Sequence, residues 1–278
     1  MSFSERVAAL PRLGIGVSTE FGAGNTPAVL VARGQVDFVE VGADLERGVD
    51  DAVRAHVAAG GRTTWHFLDV NLEDPADRDD RWADEVAASA RAVGAAWLCG
   101  DAGRWRIGPR DRGHGVLLPP ILCAESAAAL ADGVTWLRER SGLDVLPENP
   151  PGQVWIGPWD VLRYFAEVAD RADCGLLLDV SHLAIHRRAT GRGPLDGLDD
   201  FPLDRVVEVH VAGSAPRLRE GRWFAEDDHG PDPLPETWEI LARVVAGARN
   251  LRAVVVECER NPPDVAAALI ARVREACA

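Results

Sequence analysis

The chain has 278 residues, 47% of them apolar, enough for a substantial core in one large or two small domains. Its net charge of −14 repels a phosphate backbone, which disfavours general nucleic-acid binding. All 30 basic residues are arginine, so Schiff-base chemistry and a P-loop lysine are excluded, and no apolar run is long enough for a membrane span.

Short apolar runs predict strands near 13–18, 36–42, 63–70, 95–101, 143–149, 174–180, 206–213 and 251–259. Helical spacing lies between them, most plainly in 82–94, 127–140 and 235–248. Near-continuous Val/Leu runs indicate strands covered on both faces, as in a parallel sheet. Eight such units in this length argue for a closed (β/α)8 TIM barrel. No linker-like break divides the chain, so 1–278 reads as a single domain. The longest irregular stretches, 102–121 and 213–234, are candidate lids, because loops after barrel strands lie on the catalytic face. Arg104, Arg106, Arg110 and Arg112 in the first form a local basic patch that could bind a phosphate. The start has no export signal, and five cysteines without a CxxC pair suit reduced thiols in a cytoplasm.

Polar residues gather at the strand ends. His66 lies on the third strand and Asp101 ends the fourth; Glu148 and Asn149 end the fifth. The sixth runs into Asp179 and His182, and the seventh carries Glu208 and His210. Asp227, Asp228 and His229 follow in the next loop, and Glu257 and Glu259 lie on the last strand. Each has a plain structural explanation: a core histidine, or an acid capping the following helix. Together at one barrel mouth, so many carboxylates would repel one another unless cations were bound. Histidine with carboxylate and no convergent thiolates suits zinc, manganese or iron(II), and the count exceeds the ligands one metal needs, which points to a multinuclear centre. His186, one turn past His182, is expected to be exposed, and His114 lies in the first candidate lid.

In order, His66, Glu148, the pair Asp179 and His182, His210, the pair Asp227 and His229, and Glu257 resemble the metal ligands of xylose-isomerase-like barrels, among them endonuclease IV. The wording around them is more specific. GIGV (14–17), VEVG (39–42), ENP (148–150), GLLLDVSH (175–182), EVHVAG (208–213), DDHG (227–230) and VECE (256–259) resemble the multinuclear non-haem iron-dependent oxidases related to the enzyme that makes methanobactin. The resemblance implies two or three irons, with zinc or manganese as alternatives, and His66, Glu148, Asn149, Asp179, His182, His210, Asp227, His229 and Glu257 as the metal set. Asp179, His182, His210 and Glu257 would carry the catalysis. It also implies a substrate that is a ribosomally made precursor peptide, oxidised with dioxygen, most simply at cysteine. Many members work with a small partner protein that recognises the leader peptide. At two positions the chain departs from the pattern: Gly42 and Ala102 (the latter shortly before Trp105) stand where relatives place histidines, which leaves a dinuclear core as the expectation. Two other readings use the same ligand types: a non-redox isomerase, epimerase or phosphodiesterase with zinc, manganese or magnesium, and a non-catalytic peptide-binding barrel.

Overall fold

The computed structural model describes residues 1–19, 24–43, 45, 48–104 and 117–278. Trp105, Arg106, Arg110, Arg112, His114 and most of the first candidate lid lie outside the described residues. The elements in chain order are α1 (Phe3–Ala9), β1 (Gly14–Ser18), α2 (Thr26–Ala32), β2 (Phe38–Ala43), α3 (Asp51–Ala58), β3 (Thr63–Phe67), α4 (Asp80–Ala92), β4 (Ala95–Asp101), α5 (Ala124–Ser141), β5 (Val145–Glu148), α6 (Val161–Ala172), β6 (Leu176–Asp179), α7 (Val180–Thr190), β7 (Val206–Ala212), β8 (Ser214–Arg219), β9 (Arg222–Asp227), α8 (Pro235–Gly247), β10 (Ala253–Glu257) and α9 (Pro263–Ala276). Eight strands close into a barrel in the order β1-β10-β7-β6-β5-β4-β3-β2. Every neighbouring pair around it is parallel.

All eight expected strands are present: β4 has its expected bounds, β2 starts two residues later and ends one later, and the others lose one to three residues at one or both ends where the apolar run outlasts the ladder. The stretch 213–234 corrects the loop expectation. Instead of an irregular excursion it contains an antiparallel hairpin, β8 on β9, with Arg219 opposite Arg222. Between them Glu220 (φ 51°) and Gly221 (φ 75°) form the left-handed two-residue turn that such hairpins favour. That turn leads β9 back toward the barrel, so that Asp227 ends the hairpin instead of sitting in a free loop.

Alternation along each strand sorts the core into two parts. Residues such as Val41, Trp65, Leu98, Val209 and Val256 face the helices, where Leu30, Leu137, Phe165 and Ile270 meet them. Inside the barrel, Phe38, Trp97, Leu146, Leu177 and Val255 fill the lower half, and Phe3 and Val7 of α1 close the floor beneath them. This apolar plug forces the polar, inward-facing residues toward the carboxyl-terminal mouth.

Candidate metal centre

Register fixes which side chains share the mouth. Gly42 is opposite His66, Asp101 opposite Glu148, and Asp179 opposite His210. Glu257 lies two residues past Val255, itself the neighbour of His210, and so faces the same interior. Asp179 meets both readings of its position. Its Oδ1 accepts the His182 amide at 2.6 Å and caps α7, while its Oδ2 is buried without a hydrogen-bond donor, 3.7 Å from His182 Nε2. The helix therefore starts where the strand stops, and its first turn carries His182 over the mouth.

The resulting cluster is continuous. Glu148 Oε2 lies 2.8 Å from His66 Nε2, and its Oε1 is 3.5 Å from His182 Nδ1 and 3.6 Å from His210 Nδ1. Glu257 Oε1 is 3.3 Å from His210 Nδ1 and its Oε2 is 3.7 Å from His229 Nε2. Asp227 Oδ2 bridges His182 Nε2 at 3.2 Å and His229 Nε2 at 3.4 Å. All four imidazoles are buried. Asn149 is brought to the same place, but its amide is engaged at both ends: Nδ2 donates to the carbonyl of Asp179 and Oδ1 accepts its N–H, each at 2.9 Å. Its own carbonyl lies 2.9 Å from His182 Nδ1, so Asn149 ties β5 to the start of α7.

Three acids outside the ligand set that the resemblance implies also enter. Asp101 groups with Glu148 and His182 within ligand distance of a common ion. Glu40 reaches from β2 to within 3.2 Å of His210 Nε2 and groups with Glu208 and His210. The signal for Glu40 was available: it lies two residues from Gly42 and shares its face. His186 is a correction. It is buried, not exposed, with its ring edge-on to Trp155 at 4.7 Å, because the loop after β5 folds over this side of α7. It joins none of the potential metal groups among the described residues.

The electrostatics are those of a cation site. Burial opposes charge on His182, but Asp179 and Asp227 outweigh it and hold the imidazole well above its ordinary pKa. His210 shows the same balance, with burial overcome by Glu40, Glu257 and Glu148, and His229 likewise, with Glu257 and Asp227. Burial raises Asp179 to about 8 despite His182 beside it. Glu257 ends at about 2, since His229 and His210 overcome its burial. Asp227, buried between His229 and His182, stays below the usual carboxylate range. With protons alone the polar groups are incompletely satisfied. Buried oxygens of Glu40, Asp179, Asp227 and Glu257 and both nitrogens of His210 have no hydrogen-bond partner. Such groups are costly to bury unless something fills the space between them, and imidazole with carboxylate is the donor set of a divalent first-row metal. The residues fit a metal centre.

Residues 12–277 match the family described as "RiPP precursor modification enzyme MbnB/TglH/ChrH". The chain belongs to that family. Among curated relatives, a UPF0276 protein of Acaryochloris marina is 32% identical over 131 residues, covering 46% of each chain. A UPF0276 protein of Caulobacter vibrioides is 31% identical over 167 residues, covering 59% of each. The chain spans about half the length of the curated relatives it matches. Solved structures with the same barrel include a D-psicose 3-epimerase determined with D-fructose (TM-score 0.61, 13% identity, 95% of this chain and 99% of that one). Another is a Thermus thermophilus protein soaked with zinc chloride (TM-score 0.57, 17% identity, 93% and 97%). At these identities the likeness concerns the fold alone, a (β/α)8 TIM barrel.

Proposed function

We propose that this family member is an iron- and dioxygen-dependent oxidase, one unit over its whole length, that modifies a residue of a ribosomally made precursor peptide, most simply a cysteine. The observation that carries the reading is the shared mouth: four buried imidazoles interleaved with carboxylates, among which one oxygen each of Glu40, Asp179, Asp227 and Glu257 lacks a donor. Glu148, His66 and His210 would hold one metal, and Asp179, His182, Glu257, Asp227 and His229 the rest, about two irons per chain. Iron in that position supplies one-electron chemistry with dioxygen and fixes a bound thiol in its deprotonated form.

The chain's own residues do the remaining work. Glu148 and Asp227 each face two or more imidazoles and set the spacing of the cluster. Trp97, Leu146, Leu177 and Val255 close the barrel below, so the substrate enters from the mouth. The carboxylates beside His182 and His210 keep a proton at those rings until a cation displaces it. All five cysteines are free, in keeping with a reducing, cytoplasmic setting in which ferrous iron and peptide thiols persist. Among the described residues no helix is long and apolar enough to cross a membrane. Leader recognition is assigned to a small partner protein.

The test is to load the protein with iron under low oxygen, measure metal content, then add dioxygen and a Cys-containing precursor peptide. About two irons per chain and an oxygen-dependent mass change in the peptide are expected. Stoichiometric zinc alone, with no activity gained from iron, would remove the oxidase reading in favour of non-redox metal chemistry.

A further inference from the structure

Glu259 lies two residues past the ligand Glu257, beyond the end of β10, and is fully buried. Its Oε1 is 2.8 Å from His229 Nδ1, the nitrogen that faces away from the cluster. The opposite nitrogen, Nε2, looks toward Asp227 and Glu257 at 3.4 and 3.7 Å. The backbone of His229 is held by the same segment. Asn261 Nδ2 donates to the carbonyl of His229 at 2.7 Å and to that of Cys258 at 3.1 Å. His229 itself adopts φ 52°, a conformation that non-glycine residues rarely take and that persists only when surrounding contacts enforce it. On the other side, Gly213 at the end of β7 packs so closely on Gly230 that a Cβ there would stand 2.1 Å from the Gly230 carbonyl oxygen.

We propose that Glu259 is a positioning residue: its carboxylate accepts a hydrogen bond from Nδ1–H of His229, which keeps the ring proton there and leaves the Nε2 lone pair for the metal, while Asn261 locks the strained backbone that aims the ring. The assignment rests on the mouth binding metal, and it adds a residue with no place among the ligands. Neutral imidazole carries one proton, and the group bonded to one nitrogen decides which nitrogen is free. A carboxylate accepts and never donates when ionised, so it imposes a single tautomer; a neutral amide can do either. Burial matters equally, because water would otherwise compete for the same proton. Removing an outer carboxylate of this kind costs about 10–100-fold in metal affinity. Arg260, its Nε 3.5 Å from Glu259 Oε1 and its side chain 45% exposed, sits on the solvent side.

Zinc serves as the probe, since it is diamagnetic and needs no dioxygen. Long-range 15N NMR of the zinc-loaded full chain should show His229 protonated at Nδ1 and metal-bound at Nε2. Glu259→Gln should weaken zinc at this position by about 10–100-fold in competition with a chelator. Glu259→Asp, which keeps the charge, should preserve the tautomer with a smaller loss. Melting of the metal-free proteins separates a folding defect from a binding one: Glu259→Gln should melt close to wild type. Zinc bound through Nδ1 in the wild type, or equal affinity in Glu259→Gln, overturns the assignment. Failure of wild type to bind zinc at all overturns the metal reading and this assignment with it. Loss of oxidase activity with normal zinc results leaves Glu259 in place and counts only against the oxidase.

Discussion

One oxygen of Asp179 caps α7 while the other faces the cluster, and the two roles can be separated by substitution. Asn caps a helix about as well as Asp, so Asp179→Asn should keep the melting temperature of the metal-free protein but bind far less metal. Asp179→Ala should lose both, with an added cost of about 1 kcal/mol from the missing cap. Metal analysis beside calorimetry distinguishes them, and equal metal in Asp179→Asn and wild type would remove Asp179 from the ligands. His186 behaves differently. Burial, with Arg187 beside it, pushes its pKa down to about 4 from the usual 6.5. It is therefore neutral in the folded chain at a pH where the unfolded chain protonates it. Its contribution is present above pH 6.5 and is lost as the pH falls toward 4. Urea midpoints of the metal-free protein should fall across that window, and less steeply in His186→Gln; identical slopes would show that other groups govern the acid limb. The sequence could not reveal this burial. Nothing in LLLDVSHLAIH says that Trp155, more than twenty residues earlier, folds over that side of the helix.

At the scale of elements, the strands were legible and the hairpin was not. Barrel strands covered on both faces read as Val/Leu runs, whereas β8 and β9 mix Arg, Pro, Leu and Trp, with Leu218 and Trp223 exposed. The usable signal was the Glu220-Gly221 turn between two six-residue arms. Asp227 lies beside His182 and His229 all the same, and the DDHG motif marks it whatever precedes it. Helix α1 has a clear mechanical role. Phe3 packs into the barrel floor, its amide donates to Asp173 at 2.8 Å, and Arg205 lies over its ring. Phe3→Ala should cost about 3 kcal/mol by denaturant titration while metal content after loading stays at the wild-type value. A loss of metal in that variant would mean the floor and the mouth are not independent layers.

For the whole molecule, eight parallel strands and a floor plug leave one end of the barrel to hold the buried cluster of acids and imidazoles, and its occupancy bears on the stability of the protein. A metal bound at about 1,000 times its Kd adds about 4 kcal/mol to the folded state. Stripping with a chelator should then lower the melting temperature by roughly 8 °C or more for a domain of this size. No shift on chelation would mean that the mouth is neutralised by protons instead. The mouth was legible because period-two alternation and strand ends suffice to place His66, Glu148, His210 and Glu257. Glu40 is harder to read, because Gly42 on the same strand face has no side chain to mark that face as part of the mouth. Glu148 has one further consequence. Among the described residues it alone faces His66, His182 and His210, at 2.8, 3.5 and 3.6 Å, so the sub-sites around it share one carboxylate. At the proposed centre this carboxylate would be shared, so an ion held by it at one sub-site would orient it for the next. Filling should therefore be cooperative, with a sigmoidal isotherm and few half-filled molecules in native mass spectra, and Glu148→Gln should turn that single switch into independent, weaker steps.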